Sequence, residues 1–327
     1  MNKSLPLLSL LSLGLIFGGP IDSLTKSATA AGHGKDVNWN LSTWGKRRAF
    51  TEGIEAVSKY VADKSGGHFT IKINYGGTLS KPRENLDGIS LGAFEAATFC
   101  ASYHADKNKS VTVLELPFLP ITNGDVQKAA DLAVYSHPAT IKEMAKWNAK
   151  LMMSAALPQY EFMGRGKEPR TIADFKGMRV RALGGIGKAM KMIGAVPTTV
   201  TAPETYTAIE TGTVDAAAFA FYSHFSYKIN EVSTWRTTNL SPGSVNCPLV
   251  VNIDAYNSLP DKYKKILTEA VDAGYAALDK AYSASIDKYT PQADKQGIKK
   301  ITYSEADLNA FRKAAAQPVW DQWIKEA

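Results

Sequence analysis

The chain has 327 residues, of which 45% are hydrophobic and 21% charged, with a net charge of +7. That composition belongs to a globular protein of one large domain or two ordinary ones. The positive charge is dispersed, Lys46-Arg47-Arg48 being its densest cluster, so no nucleic-acid partner is expected. The five histidines show no metal-ligand spacing, and neither a metal nor a cofactor is expected. Cys100 and Cys247 stand far apart with no CxxC pair. An oxidising compartment permits a disulfide, but spacing alone favours two small buried side chains.

At the N-terminus Lys3 precedes an uncharged apolar run over residues 5–17, and Ala28-Thr29-Ala30 offers a small-x-small cleavage site. This reads as a secretory signal peptide over residues 1–30, cut after Ala30 or Ala31, with the mature chain in the periplasm. The apolar run is short for a membrane span.

Beyond Asp36, strand and helix patterns alternate. Val37, Trp39 and Leu41 alternate with polar residues, then Phe50, Ile54, Val57 and Val61 mark one face of a helix. Ser65-Gly66-Gly67 ends it, and Phe69, Ile71, Ile73 and Tyr75 alternate as a second strand. Gly76-Gly77 turns the chain into a short helix from about Pro82, followed by a buried strand over 94–99. This βαβα order implies a mostly parallel sheet with helices on its faces. Asn123-Gly124-Asp125 caps a further helix, helical character continues over 141–149, and 151–157 is a strand. Residues 250–253 read as a strand returning to the first domain. Leu259-Pro260-Asp261 opens a helix running to about Tyr289, long enough to reach across two domains. A last helix, capped by Ser304, ends near Trp323.

The most informative segment is Thr171-Ile172-Ala173-Asp174-Phe175-Lys176-Gly177-Met178-Arg179-Val180-Arg181. A short helical turn broken at Gly177 leads into a strand that ends near Arg181. Gly184, Gly185 and Gly187 then form a permissive loop before a helix. Ligands of open α/β sheets bind outside the carboxyl ends of strands, where an arginine offers a planar fork to a carboxylate. From its position alone, Arg181 fits a ligand anchor and a structural ion pair equally well. Enzyme signatures fail: in Gly185-Ile186-Gly187-Lys188, Ala189 stands where a phosphate loop needs Ser or Thr, and Met190 where a dinucleotide fingerprint needs glycine.

Three stretches carry a family resemblance. They are Ala173-Asp174-Phe175-Lys176-Gly177-Met178-Arg179-Val180-Arg181, Thr205-Tyr206-Thr207-Ala208-Ile209-Glu210-Thr211-Gly212-Thr213-Val214-Asp215-Ala216, and Gly76-Gly77 with the helix over 79–92. In this order they resemble the DctP family, the solute receptors of tripartite ATP-independent periplasmic (TRAP) transporters. The resemblance covers nearly the whole mature chain. It implies an α/β, two-domain periplasmic binding protein-like fold with a ligand cleft between the domains and a long C-terminal helix spanning both. Domain I would comprise 31–158 plus 247–285, and domain II 159–246 plus 286–327. The implied function is capture of a small organic acid by a monomer, which delivers it to the TRAP permease membrane subunits. A solute-sensing module for a signalling partner is the alternative, since the same binding physics serves both.

In the family's Gly-Leu-Lys-Ile-Arg pattern the last arginine binds the ligand carboxylate, and it falls on Arg181, with Arg179 at the solvent-facing position. A second arginine of many relatives falls on Glu161, and a carboxylate-contacting asparagine falls on Phe219. These departures point to one carboxylate or sulfonate and a possibly aromatic or zwitterionic ligand, with Glu161 either accepting from the ligand or satisfied within the protein. Trp44, in the first strand-end loop, is either a cleft wall or core. Phe219, Phe221 and Tyr222 are read on one strand, of which one face sees the cleft. Ser102 and Tyr103, after the 94–99 strand, are expected on the opposite wall, with Tyr103 preferred to His104.

Overall fold

The computed structural model describes residues 36–326. The expected signal peptide lies outside the described residues. The described residues cluster as one compact unit. In chain order its elements are β1 (Val37–Ser42), α1 (Glu52–Ser65), β2 (Phe69–Asn74), α2 (Asn85–Ser90), β3 (Ala96–Thr98), α3 (Gly124–Ser136), α4 (Pro138–Ala145) and β4 (Ala149–Ser154). There follow β5 (Tyr160–Gly164), β6 (Arg179–Arg181), α5 (Gly184–Met192), β7 (Val196–Thr198), α6 (Thr205–Glu210), β8 (Ala216–Ala220), α7 (Phe221–Ser226) and β9 (Trp235–Thr237). The chain ends with β10 (Pro248–Asn252), α8 (Ile253–Asn257), α9 (Asp261–Lys295), β11 (Lys299–Ile301) and α10 (Glu305–Glu326).

The strands form two sheets, ordered β2-β1-β3-β10-β4 and β11-β9-β5-β8-β6-β7. Within each sheet a single strand opposes the rest: β10 pairs antiparallel with β3 and β4, and β5 antiparallel with β8 and β9. Both follow a passage of the chain from one sheet to the other, at 155–159 and 238–247. A strand reached by a short, helix-free crossing enters without the helical return that enforces parallel pairing, whereas β11, reached through α9, pairs parallel with β9. The remaining strands keep the parallel order that the βαβα pattern implies.

α1 and α9 pack closely because two glycines allow it. A Cβ on Gly53 would lie 2.9 Å from Leu278 Cγ of α9, and one on Gly274 would lie 3.1 Å from Val57 Cγ2 of α1. α9 has 35 residues, about 50 Å at 1.5 Å per residue. Its Tyr263 ring packs 5.5 Å from Phe69 on β2, while Tyr289 stacks 4.6 Å from Phe225 on α7. It therefore touches elements of both sheets. At its far end, Ser304 Oγ accepts a 3.1 Å bond from the Asp307 amide and caps α10.

Several local readings change. Helix α4 stops at Ala145, and Ala149 already belongs to β4, because Asn148 adopts a left-handed φ of 50° that reverses the chain. Gly184, Gly185 and Gly187 lie inside α5 rather than in a loop before it. Tyr222 and Phe221 belong to α7, since β8 ends at Ala220. Cys100 and Cys247 are joined in a disulfide, not two separate buried thiols. Residues 147 apart in sequence meet because β3 and β10 are neighbours in the first sheet.

Candidate functional site

The two sequence motifs are knitted together by hydrogen bonds. The Arg179 amide donates 2.9 Å to the Asp215 carboxylate, and the Asp215 amide donates 2.7 Å to the Arg179 carbonyl. This fixes β6 beside β8 in parallel register, with Arg181 opposite Ala217. Arg179 faces solvent on this pairing, while two residues on Arg181 is only 1% exposed. Its Nε donates to the Val200 carbonyl at 3.0 Å and Nη1 to the Ala218 carbonyl at 2.8 Å. Its Nη2 lies 3.3 Å from the Tyr103 hydroxyl. The guanidinium carbon sits 4.0 Å from the centroid of the Phe219 ring.

A guanidinium has five N–H donors, so these three bonds leave two, one on each terminal nitrogen. That is the number a carboxylate accepts in a bidentate pair. Tyr103 Oη also accepts a 2.9 Å bond from the Ala202 amide. With both acceptances made, its own O–H proton is the donor it has left.

Arg181 faces a narrow cavity of about 20 Å³, little more than the room for one water molecule. The first sheet and its connections contribute Trp44, Arg48, Phe50, Cys100 and Tyr103 to the wall. The second contributes Tyr160, Leu183, Ala202, Phe219, Tyr222, Ser223 and Tyr227, while Leu157, Val245 and Cys247 come from the passages at 155–159 and 238–247. The lining carries two guanidinium groups and no carboxylate. Burial holds the Tyr160 and Tyr227 phenols above their ordinary range and pushes Tyr222 up to about 12, so these rings stay neutral. A narrow site with a positive, aromatic lining selects for an anion with an apolar body.

Arg181, Phe219, Trp44, Tyr103 and Tyr222 all reach this cavity. Ser102 and Glu161 do not line it. Ser102 is turned to Glu115, whose carboxylate accepts from the Ser102 amide at 3.3 Å, from the Ser102 hydroxyl, and from the Asn246 amide at 3.0 Å. Burial raises Glu115 to about 7 against these bonds. The Glu161 carboxylate is enclosed by Thr237 Oγ1, the Leu240 amide at 3.2 Å, and the Ser241 amide and hydroxyl at 3.0 and 2.9 Å. Desolvation raises its pKa, and the surrounding donors oppose the rise. Its acceptor capacity is used inside the protein. His104 is buried and turned to the Pro82 carbonyl.

Arg48, Tyr160 and Tyr227 are lining residues that sequence reasoning missed. Arg48 had a signal, since it stands in the densest basic cluster. Nothing in the sequence marks Tyr227, which reaches the site on the turn after α7. Among the described residues no group of three or more His, Cys, Asp or Glu side chains comes together to hold a metal. Among the same residues no helix is long and apolar enough to cross a membrane.

Comparison with known proteins meets this geometry from the other side. The model of the bacterial extracellular solute-binding proteins, family 7 (DctP), matches residues 42–326. The monocarboxylate 2-oxoacid-binding periplasmic protein of a Nostoc species is 25% identical over 306 residues, covering 88% of this chain and 83% of that protein. The ectoine-binding periplasmic protein TeaA of Halomonas elongata is 22% identical over 273 residues, covering 80% and 77%. A TRAP periplasmic solute-binding protein from Desulfovibrio salexigens, solved with bound orotic acid, matches with a TM-score of 0.78 at 20% identity, over 89% of this chain and 93% of its own. At that identity the likeness speaks for the fold. The two-sheet α/β architecture with its long late helix, and a family match over nearly all the described residues, give one conclusion: this chain belongs to the DctP family of bacterial extracellular solute-binding proteins, receptors in transport rather than enzymes.

Proposed function

We propose that this protein captures a small organic anion with one carboxylate or sulfonate in the periplasm, as a monomer, and delivers it to the membrane subunits of a TRAP permease. The observation that carries this reading is Arg181, 1% exposed at the end of β6, with two N–H donors left after its bonds to Val200, Ala218 and Tyr103. Tyr103, Phe219, Trp44 and Tyr222 supply the rest of the inner wall. Named relatives bind a 2-oxo acid and ectoine, the second a zwitterion, so one anionic head with a varied body is the common chemistry.

The same reading divides the chain into two lobes, 31–158 with 247–285 and 159–246 with 286–327, that close over the ligand. The passages at 155–159 and 238–247 support these boundaries. A thermal-shift screen of carboxylates, sulfonates and zwitterions tests the proposal. A ligand at 100 times its Kd stabilises by about 2.7 kcal/mol, and the shift should vanish in Arg181→Ala. A hit that shifts both proteins equally removes Arg181 as the anchor.

A further inference from the structure

Of the basic cluster Lys46-Arg47-Arg48, Arg47 is neutralised outside, 2.8 Å from Glu52 and 3.8 Å from Glu55. Arg48 turns inward. Its Nη1 donates to the Trp44 and Lys46 carbonyls at 2.9 and 2.8 Å, and among the described residues no carboxylate pairs with it. Its Nε is buried without a hydrogen-bond partner. The Tyr227 hydroxyl, beside the Trp44 indole, is likewise buried, with no acceptor for its own proton. The two side chains converge, with Arg48 Nη1 rather than Nε the nitrogen on the Tyr227 side. A Cβ on Gly45, where φ is +70°, would lie 2.9 Å from Arg48 Nη1 and 3.1 Å from Tyr227 Oη. Glycine is needed here for both the backbone angle and the room.

Arg48 and Tyr227 line the Arg181 cavity and also a surface groove shared with Lys46 and Lys288, so they stand at its outer end. A ring floor joins the two guanidinium groups. Arg181 lies over Phe219 at 4.0 Å, Phe219 stacks on Tyr227 at 5.8 Å and 22°, and Arg48 lies 5.3 Å from the Tyr227 centroid. Buried donors are ordinarily satisfied, so the Arg48 Nε–H and the undonated Tyr227 proton, on two residues that line the cavity, mark a place for an acceptor. We propose that Arg48 and Tyr227 form a second recognition point, for an acceptor oxygen, carbonyl or carboxylate, at the end of the ligand remote from Arg181. The ligand class is then a compact acid with an apolar middle and oxygen acceptors at both ends. This rests on the reading of Arg181 as carboxylate anchor.

Calorimetric titration of the purified protein with pentanoate, 4-oxopentanoate, glutarate, benzoate and isophthalate tests it. The wild type should bind the acids with a distal oxygen about tenfold or more tighter than pentanoate and benzoate. Arg48→Met, which keeps the apolar stem, should erase that preference, weakening the acids with a distal oxygen about tenfold more than pentanoate and benzoate. Tyr227→Phe should reduce the preference by about threefold while removing only one oxygen. Arg181→Met should weaken all five. The proposal is overturned if the wild type shows no such preference, binds none of the five at millimolar concentration, or if Arg48→Met and Tyr227→Phe weaken parent and oxygen-bearing acids alike. If Arg181→Met changes nothing while Arg48→Met still erases the preference, the Arg181 anchor fails and the Arg48 assignment stands.

Discussion

The Tyr103 hydroxyl lies 3.3 Å from Arg181 Nη2, and it joins residues from different sheets. Tyr103 follows β3 of the first sheet, and Arg181 ends β6 of the second. The same oxygen accepts the Ala202 amide at 2.9 Å, so one phenol spans the two sheets at the point where the anion would sit. Removing it separates binding from folding. Tyr103→Phe should keep the fold and weaken ligand binding by about 1–2 kcal/mol, since one hydrogen bond to a charged group and one donor to the ligand are lost. Calorimetry against any hit of the thermal screen checks this, and an unchanged Kd would refute it.

Arg181→Ala should do more than remove an anchor. The Val200 and Ala218 carbonyls would each lose a donor inside the protein. Urea unfolding should show a loss of about 2–4 kcal/mol beside the loss of binding. An arginine serving the ligand alone would leave stability intact.

Glu161→Gln should behave in the opposite way. Its carboxylate is used by Thr237, Leu240 and Ser241 and does not line the cavity. Ligand affinity should stay within about twofold, while stability falls by about 1–3 kcal/mol because an amide nitrogen replaces one acceptor. Zwitterionic hits give the sharpest check, as a direct contact would show there as a large change in Kd.

Glu115 predicts a pH dependence. Its folded value is raised to about 7 from an ordinary 4.5, chiefly by burial, with Ser102 and Asn246 as its partners. The folded state therefore holds more protons than the unfolded state between those values, and the group's contribution to stability is lost as pH rises through 7. Asp131, likewise raised to about 7, adds a slope of the same sign, whereas buried His224, lowered to about 3, opposes both below its ordinary range. The comparison with Glu115→Gln isolates one group. Between pH 5 and pH 8 the variant should gain on the wild type by about 3 kcal/mol. Parallel stability curves for the two proteins would contradict the assignment.

The disulfide lines the cavity and links positions 147 apart. Cys100→Ser with Cys247→Ser should cost about 2–4 kcal/mol of stability. Denaturation with and without reductant measures it, and the double variant should lose all sensitivity to reductant.

Much of the fold was legible because its signals are local. Alternation at Val37, Trp39 and Leu41 and helical spacing at Ile54, Val57 and Val61 come from strand and helix geometry alone, and both elements form as read. The strands Val196–Thr198, Trp235–Thr237 and Lys299–Ile301 are each three residues long, too short to display a period, and only pairing with neighbours makes them strands. The Gly-rich segment read as a loop because glycine disfavours helix. In α5 its small size matters more, since a Cβ on Gly185 would lie 2.0 Å from the Glu115 carbonyl oxygen.

By itself the sequence determined the α/β class, the order of elements, the family and the place of Arg181 at a strand end, all properties of runs of neighbouring residues. Tertiary structure alone decided which side chains share the cavity. Glu161 and Ser102 turn to partners inside the protein, Cys100 meets Cys247, and Arg48 and Tyr227, 179 positions apart by their numbering, converge beside Gly45. Those outcomes depend on which sheet each strand joins and where the chain crosses between them, and no local pattern encodes such long-range pairing.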